Sequence, residues 1–281
     1  MLWTKRTTCP PHRRARSVSV NVPASRALLW LLSLSALAWC ALSWHSGLPA
    51  PSSLALAFVA LFSLATFGVL WPQCNMYGRT FHRGRADSRE IALTFDDGPH
   101  PTTTREILRV LREEGALGTF FLVGHKVQAH PDVVQEIHAA GHAIGIHGFD
   151  HDRLFCLRSA KYVQEQIERA ERAIEAACGV TPTLFRPPVG FASHLTFLGA
   201  ERAQVEVVIW TVRSFDGVKR TTAAQIIRRV VSRLRGGGIV LLHDAAERDD
   251  FAPQAAQALP TILRAMRAAG FRAVRLDQMA R

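Results

Sequence analysis

The segment TFDDGP, residues 94–99, marks the point at which a buried strand becomes a loop. The apolar residues 91–93 before it are typical of a short strand inside a sheet, and Gly98-Pro99 ends that strand. Parallel α/β folds collect their functional side chains where strands end. Asp96 and Asp97 would point to opposite sides of an extended chain, so the two carboxylates can have different functions. Taken alone, the segment is equally typical of an ordinary turn.

Strand-like apolar runs alternate with helical patterns from residue 89 to the end of the chain. This alternation predicts a parallel sheet or barrel built from strand-helix units. The predicted strands are 91–95, 118–123, 143–147, 183–186, 205–212, 238–243 and 271–276. The predicted helices lie near 102–114, 131–140, 159–178, 193–203, 221–235 and 254–269. We therefore expect an α/β fold, a distorted (β/α) barrel with seven strands.

Two uncharged runs, 27–44 and 54–71, precede the alternating region. As helices they would each be about 27 Å long, close to the thickness of a hydrocarbon core. They predict an N-terminal anchor of two transmembrane helices, with a buried hairpin of a soluble protein as the structural alternative. Basic residues flank both outer ends, and the connector between the runs has none. This distribution predicts a multi-pass inner-membrane protein whose domain after the second run lies on the cytoplasmic side.

Charge and cysteine usage restrict the partners of the chain. The net charge is +11, and the first 26 residues carry six of the bases and no acid. Because no zinc-finger spacing or basic-aromatic stripe is present, we expect no nucleic-acid partner. Five cysteines, odd in number and without a CxxC pair, give no indication of a disulfide framework or a thiolate metal site. The predicted organisation is a basic cytoplasmic tail (1–26), two transmembrane helices (27–44 and 54–71), a basic linker (72–88) and a domain over 89–277.

A histidine pair follows the third predicted strand. His147 and His151 are four residues apart, so a helical turn would direct both imidazoles towards one metal ion. The chain has 12 histidines, and such a pair could arise by chance. With Asp97, however, the pair makes three protein ligands that leave a position for water. That set is typical of a catalytic zinc site rather than a structural one.

Three further motifs come at predicted strand ends: RPPVG at 186–190, a segment at 210–217 that contains Asp216, and LLHD at 241–244. Taken singly, each has a structural explanation. Arg186 could form a surface salt bridge, Asp216 a turn, and His243 could be a core histidine. Taken together with TFDDGP and HxxxH, and in this order, they resemble the polysaccharide deacetylase family, the NodB-like carbohydrate esterases. The resemblance extends over about residues 89–276.

The resemblance implies a role for each matching residue. The catalytic residues would be Asp96 as general base, Arg186 as its partner, His243 as the acid that protonates the leaving amine, and Asp216 as the partner of His243. The metal ligands would be Asp97, His147 and His151, and two imidazoles with one carboxylate suit Zn²⁺. The oxyanion and substrate pocket would comprise the backbone N–H of Val189 together with Pro188, Leu241, Trp210 and Arg213.

The sequence departs from the usual family pattern in and near the substrate pocket. Val189 replaces an aromatic residue, Arg213 an aspartate, and Gly217 a tryptophan. Gly148 replaces the serine or threonine that usually follows the first metal-binding histidine. The catalytic set is therefore complete, whereas the walls of the pocket differ.

The predicted activity is metal-dependent hydrolysis of the N-acetyl group of an amino sugar, which releases acetate and a free amine. The predicted cytoplasmic orientation favours a lipid-linked or nucleotide-linked glycan precursor as substrate, with Arg213 near its phosphate. An extracytoplasmic deacetylase of cell-wall or exopolysaccharide glycan is the alternative with the same chemistry. The alternative from another class is a non-catalytic glycan-binding module on the same scaffold.

Overall fold

The computed structural model describes residues 24–45 and 51–281, which contain nine α-helices and eight strands. The helices are α1 (Ala24–His45), α2 (Pro51–Leu70), α3 (Thr103–Glu113), α4 (Gly124–Ala129), α5 (Pro131–Ala139), α6 (Ala160–Cys178), α7 (His194–Arg202), α8 (Ala223–Val231) and α9 (Ala255–Ala268). The strands are β1 (Glu90–Asp96), β2 (Thr119–Leu122), β3 (Ala143–Ile146), β4 (Leu184–Phe185), β5 (Glu206–Val207), β6 (Val212–Arg213), β7 (Gly238–His243) and β8 (Arg272–Val274). Most of the predicted tail and of the connector, 1–23 and 46–50, lie outside the described residues.

The strands form one parallel sheet in the order β5-β4-β3-β2-β1-β7-β6, which confirms the predicted α/β class. Strand β1 lies at its centre and is buried along its whole length. One edge of β1 pairs with two strands in succession. Residues 90–92 pair with β8, and residues 94–96 pair with β2. Strands β5 and β6 are at opposite ends of the order, yet only residues 208–211 join them. The sheet must therefore curl until its two edges approach each other.

The predicted seven-stranded barrel is wrong in its strand count and its closure. The single strand predicted over 205–212 is divided into β5 and β6, so the described sheet is a curled half-barrel of eight strands. The segment before β1 pairs with the chain at this break. Phe81 donates its N–H to the Val207 carbonyl and accepts a hydrogen bond from the Ile209 N–H, at the point where the predicted strand divides. Helix α4 was not predicted because its six residues are too few to show a helical period.

The predicted multi-pass inner-membrane location is contradicted. A membrane span needs roughly 20 consecutive apolar residues. In the part of the chain that the structure describes, no helix combines the length and the apolar character that a span requires. The two-helix transmembrane anchor is likewise unsupported.

The alternation of side chains along β1 separates a packing face from a functional face. Ile91, Leu93 and Phe95 belong to the large core between the sheet and the surrounding helices. Ala92 belongs to a smaller core on the inner side of the curled sheet. Because neighbouring residues of a strand point to opposite faces, Asp96 shares the inner side with Ala92. The fold thus directs this carboxylate into the mouth of the half-barrel.

Candidate active site

The predicted site residues converge at the carboxyl edge of the sheet. The β1–β7 register places Asp96 opposite His243. Strand β3 ends at Ile146, directly before His147, and β4 ends at Phe185, directly before Arg186. These strand ends border a cavity of about 610 Å³. The predicted site residues that line it are Asp96, Asp97, His147, His151, Val189, Trp210, Arg213, Leu241 and His243. Arg186 and Pro188 are buried beside them.

Asp97, His147 and His151 place three potential ligand atoms within 4.8 Å of one another, and all three residues are buried. The Asp97 Oδ1 atom lies 3.4 Å from His147 Nε2 and 3.1 Å from His151 Nε2. Two atoms bound about 2.1 Å from one ion at tetrahedral angles lie about 3.4 Å apart. The spacing therefore fits a divalent ion of the size of Zn²⁺.

The polar atoms of this cluster also fit a cation. Within the described residues, the buried Asp97 Oδ1 has no hydrogen-bond partner of acceptable geometry. Burial would raise the pKa of Asp97, but the adjacent imidazoles of His147 and His151 hold it well below its usual value. Burial likewise opposes protonation of His147, yet the carboxylates of Asp96 and Asp97 raise its pKa. The cluster thus attracts positive charge, which a metal ion would supply in place of protons.

The two histidines meet through a turn and not through a helix. Residues 147–151 have no helical hydrogen-bond pattern, and Gly148 and His151 adopt left-handed φ angles of 79° and 52°. The predicted helical turn is therefore wrong, although the imidazoles do converge, with ring centroids 5.0 Å apart. Glycine and, to a lesser degree, histidine tolerate this backbone region. The turn folds His151 back towards Asp97.

Each histidine has an outer partner that orients its ring. His147 Nδ1 lies 2.7 Å from the carbonyl oxygen of Arg186, so Nδ1 donates there and Nε2 is left for a ligand. His151 Nδ1 lies 3.8 Å from Glu247 Oε1. Glu247 in turn accepts a two-pronged contact from Arg153, with a shortest distance of 2.6 Å. Sequence reasoning missed Glu247, because no spacing connects it with the histidine motif.

Arg186 is completely buried and pairs with Asp96. Its Nη1 donates to Asp96 Oδ1 at 2.6 Å and to the Thr94 hydroxyl at 2.8 Å. The guanidinium carbon lies 4.1 Å from the centroid of the Phe121 ring. Burial lowers the pKa of Arg186, and Asp96 opposes this shift. The other carboxylate oxygen, Asp96 Oδ2, faces the metal-binding cluster and lies 3.9 Å from His147 Nε2.

His243 and Asp216 form a second pair across the cavity. Asp216 is buried and accepts hydrogen bonds from the Nδ1 and the backbone N–H of His243, both at 2.8 Å. The Ser214 hydroxyl donates to the same carboxylate. Burial alone would lower the pKa of His243, but the adjacent carboxylate of Asp216 raises it to about 9. The imidazole is thus held protonated, with Nε2 free to face the cavity.

A buried aspartate that sequence reasoning left without a role supports the TFDDGP turn. Asp244 accepts from the N–H of Gly98 at 3.1 Å and from the Thr104 hydroxyl at 2.6 Å. Its backbone N–H donates to the Asp96 carbonyl at 3.2 Å. Burial raises the pKa of Asp244 to about 7. The only signal in the sequence for a role of Asp244 was its position next to His243.

Four of the non-glycine residues with left-handed backbone line the cavity: Asp97, His151, Val189 and Phe215, with φ between 52° and 74°. For a β-branched or bulky residue this conformation is strained and typically marks a functional constraint. Next to Val189, Gly190 has no room for a Cβ atom, which would lie 2.1 Å from the Trp210 ring. The indole therefore holds the RPPVG turn in place.

The comparisons with known proteins identify the family of the chain. The family model for polysaccharide deacetylase matches residues 83–208. A chitooligosaccharide deacetylase of Azorhizobium caulinodans is 34% identical over 190 residues, which are 64% of this chain and 90% of that protein. A peptidoglycan-N-acetylglucosamine deacetylase of Bacillus cereus is 33% identical over 193 residues, with 68% and 88% covered. The structure of the peptidoglycan deacetylase PdaC from Bacillus subtilis has a TM-score of 0.60 and 30% identity and covers 69% of this chain and 91% of that one. The chain is therefore an enzyme of the polysaccharide deacetylase family.

Proposed function

We propose that this enzyme removes N-acetyl groups from an amino-sugar glycan in a metal-dependent hydrolysis. The observation that carries the proposal is the convergence of Asp97, His147 and His151 between two acid-base groups. Asp96 lies next to these ligands, and His243 lies opposite Asp96 across the strand pair. Similar proteins named as chitooligosaccharide and peptidoglycan deacetylases support the same substrate class.

In the proposed reaction, a water molecule adds to the amide carbonyl carbon and the carbon–nitrogen bond then breaks. Asp96 accepts a proton from the attacking water, and the hydrogen bond from Arg186 holds this carboxylate in place beside the cluster. His243 donates a proton from Nε2 to the leaving nitrogen, while Asp216 holds Nδ1. The products are acetate and a free amine. The backbone N–H of Val189 is proposed to donate to the carbonyl oxygen as it becomes negative.

A divalent ion held by Asp97, His147 and His151 would polarise the carbonyl and lower the pKa of water to about 7. The chain's own contribution is to orient these ligands. Arg186 does so through its carbonyl oxygen, and Glu247 lies near the outer nitrogen of His151. Zn²⁺ is the proposed ion, since imidazole and carboxylate ligands suit it.

The lipid-linked or nucleotide-linked form of the substrate is not part of this proposal. That choice depended on the cytoplasmic location, which is contradicted. The non-catalytic alternative has no support in the site, because the proposed base, acid and ligand residues all line one cavity.

The test is acetate release by the full chain from N-acetylated chitin and peptidoglycan oligosaccharides, before and after dialysis against a chelator. We expect turnover to fall by at least about tenfold after metal removal and to return when Zn²⁺ is added. Metal content is measured in parallel by elemental analysis. Turnover that is unchanged in metal-free protein would contradict the metal-dependent mechanism.

The pH dependence gives a further prediction. His243 is protonated below its pKa of about 9, so the activity of the unmodified enzyme should fall as the pH rises through about 9. Asp216→Asn removes the carboxylate that raises this pKa, which then falls towards about 6.5. Activity of the variant relative to the parent should therefore decrease with pH, to about 30-fold lower at pH 8. The measurement is kcat/KM from pH 6 to pH 10, and a ratio that is constant with pH would contradict the assignment of His243 as the acid.

A further inference from the structure

A guanidinium lies between two aromatic rings at the wall of the cavity. Arg213 ends β6 and pairs in register with Leu241, two residues before His243. Its guanidinium carbon is 5.6 Å from the centroid of Trp210 and 4.9 Å from that of Phe215. Planar guanidinium groups stack on aromatic rings through their faces, which leaves the N–H donors at their edges available. The two rings thus place these donors at the wall of the cavity.

Phe215, the second ring beside Arg213, has a strained backbone conformation. Phe215 adopts a left-handed φ of 64° although 44% of its surface is exposed, so burial of the ring does not explain the strain. Arg229 lies on it at 5.2 Å and donates to the Ser214 carbonyl at 3.0 Å. Arg229, Phe215, Arg213 and Trp210 therefore form one continuous stack. Its effect is to present the Arg213 guanidinium to the cavity.

Arg213 differs from two other arginines at the site in having no acidic partner. Arg186 is paired with Asp96, and Arg153 is paired with Glu247. Within residues 24–45 and 51–281, the Arg213 guanidinium makes neither an ion pair nor a hydrogen bond. The nearby Asp216 is buried and already accepts from His243 and Ser214. None of the described residues therefore occupies the edge of Arg213, which is available to a bound ligand.

We infer that Arg213 binds an anionic group, a carboxylate or a phosphate, on the sugar whose N-acetyl group is removed or on its neighbour. This inference rests on the proposed function, which places the N-acetyl group in the same cavity. Arginine suits both anions because its planar donors match two oxygen atoms at once. The enzyme would then prefer an acidic glycan over a neutral one.

The test compares three substrates: a neutral N-acetylglucosamine oligosaccharide, its counterpart with a lactyl carboxylate, and its counterpart with a phosphomonoester. The proteins are the full chain and its variants Arg213→Gln, Arg213→Lys and Phe215→Leu. Arg228→Gln is the matched control, since it removes the same charge from an exposed position beside Arg229. We measure kcat and KM separately for each pair.

We expect Arg213→Gln to lower kcat/KM for an anionic substrate roughly 10- to 100-fold, mainly through KM, and for the neutral one less than about twofold. Arg213→Lys and Phe215→Leu should give intermediate losses, because they keep the charge but lose the planar donors or the stack. Arg228→Gln should leave kcat/KM unchanged for both the anionic and the neutral substrates. The anionic substrate with the larger loss of kcat/KM shows whether the recognised group is a carboxylate or a phosphate. Equal losses on all three substrates would overturn the inference.

Binding of the same sugars by calorimetry, to the parent and to Arg213→Gln, separates this inference from the proposed function. If none of the sugars is hydrolysed but the parent binds the anionic ones more tightly and Arg213→Gln does not, the anion site stands and the hydrolytic proposal fails. If the sugars are hydrolysed without any preference for charge, the anion site fails and the hydrolytic proposal stands.

Discussion

Asp97→Asn is expected to remove the bound metal and to reduce deacetylation by about 10³-fold or more. A bound ion supplies several kcal/mol of charge stabilisation, and about 1.4 kcal/mol corresponds to a factor of ten in rate. The affinity for metal should fall by more than about 100-fold, since even the outer partners of ligating histidines are worth roughly 10- to 100-fold. Metal content by elemental analysis and acetate release are the measurements.

Asparagine is the informative substitution at this position. Asp97 has a φ of 74°, and asparagine tolerates the left-handed region, whereas alanine would add backbone strain. Asp249→Asn is the matched control, because Asp249 is also left-handed, with a φ of 53°, but is exposed and pairs with Lys126. The control should keep its metal and its activity. An Asp97→Asn protein that retains stoichiometric metal would contradict the proposed ligand set.

Asp96→Asn is expected to lower kcat/KM by about 10²- to 10⁴-fold while the metal stays bound, because it removes the general base but none of the three ligands. The same change also leaves the Arg186 guanidinium buried without its carboxylate. Removing one partner of a buried ion pair typically costs about 3–5 kcal/mol. Thermal or urea unfolding should therefore show a large loss of stability beside the loss of activity.

The double variant Asp96→Asn/Arg186→Met separates these two effects. Replacing a buried pair by groups of similar size without charge is often neutral for stability, so the double variant should recover most of the lost free energy of unfolding but none of the activity. Glu136→Gln is the control, because Glu136 forms an exposed ion pair with Arg105. It should change the free energy of unfolding by less than about 1 kcal/mol. Recovery of activity in the double variant would show that Asp96 acts only through folding.

Local patterns in the sequence were sufficient for the class of fold and for most of the candidate site. The strand-helix alternation predicted a parallel sheet, and the motifs at strand ends meet at one edge of it, because every parallel strand points its carboxyl end the same way. The same patterns failed where a segment distant in sequence pairs with a predicted strand. Phe81 pairs with residues 207–209 where the predicted strand divides, and the described sheet is a curled half-barrel of eight strands.

By itself, the sequence determined which residue types stand at the strand ends and hence the acid, base and ligand candidates. Only the tertiary structure decided how they are held: Glu247 near His151, Asp244 beneath the TFDDGP turn, and Arg213 between Trp210 and Phe215. The physical reason is that strand ends are set by short-range periodicity and turn chemistry, whereas these contacts depend on the curl of the sheet and on left-handed turns. Neither of those has a reliable signature in the order of the residues.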